Sequence, residues 1–68
     1  SYKEQRELEA LPGQIDAAET RLAALNEEIT QPAFYQRPST EVTAVLAQVE
    51  KVQAELDVLV ERWAELDD

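Results

Sequence analysis

Apolar residues in this chain advance in alternating steps of three and four. On a first arm they fall at Leu8, Leu11, Ile15, Ala18, Leu22, Leu25 and Ile29. On a second they fall at Val42, Val45, Val49, Val52, Leu56, Leu59, Trp63 and Leu66. A repeat of about 3.5 residues keeps one apolar stripe of an α-helix turned toward a partner helix, which is the seam of a coiled coil. Two long helices are therefore predicted, each with a face that must be covered. Between them lies TQPAFYQRPS, where two prolines interrupt the pattern. A connection of this length reverses the chain and lays the arms side by side.

The register of that hairpin follows from the two seams. Pairing Ile29 with Val42 at the turn and stepping outward sets Leu25 on Val45, Leu22 on Val49 and Ala18 on Val52. Ile15 then meets Leu56, Leu11 meets Leu59, and Leu8 meets Trp63, which is expected to fill the open end. The residue numbers of each pair keep a constant sum to within one, as antiparallel neighbours without an insertion must. Pairing within one chain is favoured over dimerisation in trans for the same reason. Glu7 and Arg62 should face each other across the seam and help select this register. The flank formed by Pro12, Leu46 and Val60 widens the apolar stripe, either as hairpin core or as a contact for another protein.

Local signals set the boundaries. Ser1-x-x-Glu4 fits a capping box, in which the Ser hydroxyl accepts a helix amide and the Glu carboxylate reaches back. Pro12 lacks an amide hydrogen and disfavours helical geometry at Leu11, so a kink is expected there. The expectation is an all-α, two-helix antiparallel coiled-coil hairpin with its first arm kinked at Leu11-Pro12. Its parts are a short helix over 1–10, a first arm over 12–30, a turn over 31–38 and a second arm over 39–67, all in one domain over 1–68. Ser39 is expected to cap the second arm after Pro38. Phe34 and Tyr35, carried on one turn of helix, either plug the end of the seam or form a recognition tip that stacks on a base.

Composition narrows the function. The chain has 68 residues, and a domain of about 60 residues buries only about 60% of the surface its unfolded form exposes. It contains no Cys and no His, which removes thiolate chemistry, the commonest metal ligand and the commonest general base. Carboxylate pairs occur at Glu27-Glu28, Glu61 with Glu65, and Asp67-Asp68, but a two-helix hairpin has no cleft to bring them together. Neither catalysis nor a cofactor or metal site is expected in this chain. No apolar run approaches the ~20 residues that span a bilayer, so no membrane partner is expected. The abrupt start on a helix reads as an excerpt from a larger protein.

Formal net charge is −9, from 15 acidic and 6 basic residues. Acidity of this degree opposes unspecific attraction to phosphate. The basic residues are nonetheless unevenly placed. Lys3, Arg6 and Arg62 gather at the open end and are the candidates for nucleic-acid contact, while Arg37 stands at the tip, and Arg21 and Lys51 lie along the shaft. Phe34, Tyr35, Arg37, Leu46 and Val60 are the candidates for contact with a partner protein.

Three phrases occur in order: SYKEQRELE with its LP break, the Pro32-x-x-Tyr35 turn, and the Glu61-Arg62-Trp63-x-x-Leu66 ending. In these the chain resembles, along essentially its whole length, the C-terminal domain of Uup-type ABC-F ATP-binding cassette proteins. The resemblance implies a cytoplasmic parent with two ATP-binding cassettes, a basic linker and this hairpin. ATP and Mg would then belong to the parent's cassettes and to no residue of this chain. It further implies a coiled-coil hairpin that binds DNA; the monomeric state is expected from the register and the proline-bounded turn. The alternative is a protein-interaction arm that docks on the cassettes or the ribosome.

Overall fold

The computed structural model describes residues 1–67. Two 28-residue helices, α1 (Tyr2–Ile29) and α2 (Ser39–Leu66), are joined by a turn that contains one 3₁₀ segment, Phe34–Gln36. They lie side by side as a rod with extents of 51 × 16 × 15 Å. The seam predicted from the alternating steps is the buried face of both helices. Leu11, Ile15, Ala18 and Val52 are buried, and every other seam residue except Trp63 is half-buried. The small Ala18 and the β-branched Val52 together form the most enclosed layer, midway along the rod. Trp63 departs from expectation: its residue is 39% exposed, so it closes the open end only in part.

The break expected at Leu11-Pro12 does not divide the first arm. α1 runs without interruption from Tyr2 to Ile29 with Pro12 inside it, so the separate helices over 1–10 and 12–30 are one element. An interior proline costs about 3 kcal/mol, because the carbonyl four residues earlier, here that of Leu8, loses its donor. Packing outweighs that cost. Leu11 and Ile15, on either side of the proline, are both buried against α2, while Pro12 itself points to solvent.

At the start of α1 the capping box forms as read from the sequence. The Glu4 amide donates to Ser1 Oγ at 3.2 Å, and the Ser1 nitrogen reaches Glu4 Oε1 at 3.5 Å. The start of α2 differs from expectation. Pro38, with φ −52° and ψ 143°, is the capping residue, and Ser39 is already helical and makes no side-chain cap. The Pro38 carbonyl instead accepts the amides of Glu41 and Val42, at 3.0 and 3.1 Å. Extended backbone at Arg37, imposed by the following proline, sets the angle of entry. α2 ends at Leu66 with Asp67 as its cap, and Asp68, with the Asp67-Asp68 pair, lies outside the described residues.

Phe34 is completely buried and plugs the turn end of the seam. It is therefore part of the core and unable to serve as a partner contact. Tyr35 meets it edge-on, with centroids 4.8 Å apart and planes at 87°, but remains 64% exposed. Replacing Phe34 with Ala should lower unfolding free energy by about 3 kcal/mol, the usual penalty for an emptied aromatic site, while Tyr35→Ala should stay within about 0.5 kcal/mol. Urea titrations followed by helical circular dichroism measure both. Gly13, inside α1, has nothing within 4 Å of where a Cβ would stand. Gly13→Ala should accordingly stabilise the hairpin by about 0.5–1 kcal/mol in the same assay.

Candidate nucleic-acid interface

The open end of the rod brings together the first turns of α1 and the last turns of α2. Arg62, reaching from α2, donates through Nε to Glu7 Oε2 at 2.6 Å and through another guanidinium nitrogen to Glu7 Oε1 at 2.9 Å. Its Nη1 also donates to Glu65 Oε2 at 3.1 Å. The pairing of Glu7 with Arg62 expected from the register is thus a two-pronged clamp across the seam. The hydrogen bonds from Arg62 hold the Glu7 carboxyl below its ordinary pKa; partial burial opposes this, and the charges of Arg62 and then Lys3 reinforce it. Arg62 is pushed the other way, chiefly by Glu7 and next by Glu65, and stays charged.

This geometry sorts the three cations expected to act together. Arg62 is spent on two carboxylates and belongs to the clamp. Lys3 and Arg6 remain. Among the described residues no carboxylate lies within ion-pair distance of either. Lys3 stands one helical turn from Glu7, whose two oxygens are both occupied by Arg62. Arg6 donates through Nη1 to the hydroxyl of Tyr2 at 3.0 Å. Tyr2 is 76% exposed and was not singled out in the sequence reading. Its spacing of four residues from Arg6 was the available signal, because residues i and i+4 share a helix face.

The far end is arranged differently. Arg37 is not isolated at the tip: its Nη1 sits 2.6 Å from Glu28 Oε2, and its guanidinium carbon lies 5.1 Å from the Phe34 ring centroid. It fastens the turn to α1 and covers the buried ring. Along the shaft Arg21 pairs with Glu55 at 3.7 Å. Leu46 and Val60 are exposed, together with Val58, so the expected apolar flank is surface and not hairpin core. Among the described residues no group of three or more acidic side chains is placed to hold a metal ion, and no helix is long and apolar enough to cross a membrane.

Comparison with known proteins agrees with this architecture. The family model described as the ABC transporter C-terminal domain matches residues 1–68. The chain belongs to that family. Within it, this ABC transporter C-terminal domain is of the Uup type. It is 43% identical over its full length to the ATP-binding protein Uup of Haemophilus influenzae, and 37% identical over 67 residues to that of Escherichia coli K12. It spans only 10% and 11% of those two relatives. A solved structure, that of the DNA-binding coiled-coil C-terminal domain of the Uup protein, superposes with a TM-score of 0.89 at 37% identity. That match covers 98% of this chain and 79% of the other.

The clamp generates a pH dependence of known sign. A carboxyl whose pKa is lowered in the folded state contributes stability above its unfolded value, and that stability is lost as pH falls through the folded value. Glu7→Gln should therefore melt below the unaltered chain at pH 7, and the gap should close as pH drops below the ordinary glutamate value of 4.5. Thermal melts at a series of pH values read the difference directly. A gap that stays constant with pH would mean that the clamp is not its source.

Proposed function

We infer that this domain binds DNA through its open end, as an accessory module of a larger ATP-hydrolysing protein. The observation that supports this most is the match in both sequence and shape to a DNA-binding coiled coil of the same family, over nearly the whole chain. The parent carries the ATP-binding cassettes, so ATP and Mg act there, in the cytoplasm, and the hairpin works as a monomer. Catalysis has no place in this segment.

Charge decides which surface is used. With a net charge of −9, most of the rod repels phosphate, and half of the six cations are held by carboxylates. Lys3 and Arg6 lie one helical turn apart at the end of the rod and, among the described residues, carry no ion pair, so they are assigned the phosphates. A basic segment preceding them in the parent would extend the same surface. An exposed flank at Leu46, Val58 and Val60 favours a second reading, in which the domain docks on the parent's cassettes or on the ribosome.

Fluorescence anisotropy with a labelled duplex tests the first reading. The chain should bind with an affinity that falls with salt along a log–log slope of about −1.8, the release expected from two phosphate contacts. Replacing Lys3 and Arg6 together with Gln should abolish most of that slope without altering the helical spectrum. An undiminished slope in the double variant would move the site elsewhere, and failure of the unaltered chain to bind either a duplex or a single strand would favour the protein-contact reading.

A further inference from the structure

The open end contains a group that phosphate binding does not use. Tyr2 is the most exposed of the large apolar side chains, at 76%, and it shares the first turns of α1 with the two cations assigned to DNA. Arg6 holds it by the hydroxyl, with a 3.0 Å hydrogen bond, and the guanidinium carbon is 5.8 Å from the ring centroid. Those two distances place the guanidinium beyond the hydroxyl edge of the ring and not flat against its face. The ring is thus steadied at one edge while its face stays open.

We propose that the open end takes an unpaired nucleotide, with the Tyr2 ring stacking on the base and Lys3 and Arg6 holding the flanking phosphates. The proposal rests on the DNA-binding reading above and names the form of DNA. An aromatic face stacks on any base that is available, without regard to sequence, whereas bases inside a duplex already stack on one another. Two cations at the end of an acidic rod also suit a short stretch of flexible strand better than a long duplex backbone. Arg62 occupies both oxygens of the neighbouring Glu7 and so offsets part of its charge on them.

The turn end provides an internal comparison. Tyr35 is also exposed, at 64%, and a base-stacking tip was one reading of the sequence. Its nearest cation, however, is bound to Glu28 at 2.6 Å and covers Phe34. The tip has an aromatic ring but no uncommitted positive charge beside it. Among the described residues only the open end combines the two.

The experiment compares a labelled single strand of about 15 nucleotides, within the range bound by single-strand modules, with a blunt duplex of the same length. The single strand should bind more tightly, with a log–log salt slope of about −1.4 for two phosphates. Tyr2→Ala should weaken single-strand binding roughly tenfold, the loss of one stacked base, and leave duplex binding unchanged. Tyr2→Phe should bind within about twofold of the unaltered chain, since it keeps the ring, and Tyr35→Ala should have no effect. Because Tyr2 is exposed, helical circular dichroism should be the same for every variant. Equal effects of Tyr2→Ala on both forms, or no effect on either, would overturn the proposal while the DNA-binding reading stands. If neither oligonucleotide binds the unaltered chain, both fall together.

Discussion

Each helix of this domain has only the other to cover its apolar stripe, and every further feature depends on that seam. Helices with so many acidic side chains and no third element gain stability from mutual burial more than from propensity. The layers centred on Leu11, Ile15, Ala18 and Val52 supply the enclosed part. They also hold α1 together across Pro12, where local geometry alone would divide it. Ion pairs flank the seam at three levels: Glu28 with Arg37 near the turn, Arg21 with Glu55 on the shaft, and Glu7 with Arg62 at the open end. Exposed pairs add little stability, but a shift of one helix along the other would separate the two that join α1 to α2. They specify the alignment that burial makes favourable.

The seam was legible because a 3.5-residue repeat leaves few alternatives. A strict alternation over both arms marks the face that is covered, Trp63 excepted, and the constant sum of paired positions places Glu7 opposite Arg62. What remained illegible depends on competition between effects of similar size. At Pro12 a local rule was weighed without the packing of Leu11 and Ile15 that overrides it. At Ser39 a favourable capping residue was passed over because the preceding proline had already set the backbone. Arg37 looked isolated because its partner, Glu28, belongs to the other side of a turn whose geometry spacing does not encode. Tyr2 was missed for a related reason: exposure of a ring cannot be inferred from its position beside a cap.

Electrostatics gives the rod a direction. Its long sides are acidic, and carboxylates hold Arg21, Arg37 and Arg62, so the positive groups without an ion pair at the open end stand out against their surroundings. In this arrangement a net negative charge does not contradict contact with a polyanion. Under the proposed function it confines such contact to one end and discourages the polyanion from lying along the shaft. Arg62 contributes to that outcome indirectly, by offsetting part of the charge of Glu7 beside Lys3.

A hairpin in which residue pairs keep a constant sum closes like a zipper from its turn. Phe34 and the layers beside it join residues close in sequence, whereas the Glu7–Arg62 clamp joins residues 55 positions apart. The loop-closure entropy of the outer layers is met only once the inner layers have formed. Opening runs in reverse, so amide protons in the outer layers of the seam exchange with solvent before those next to the turn. The surface assigned to DNA is consequently the part of the fold with the least depth of structure behind it. A ligand that bridges Tyr2, Lys3 and Arg6 would bind on the first turns of α1 and slow the fraying from which unfolding starts.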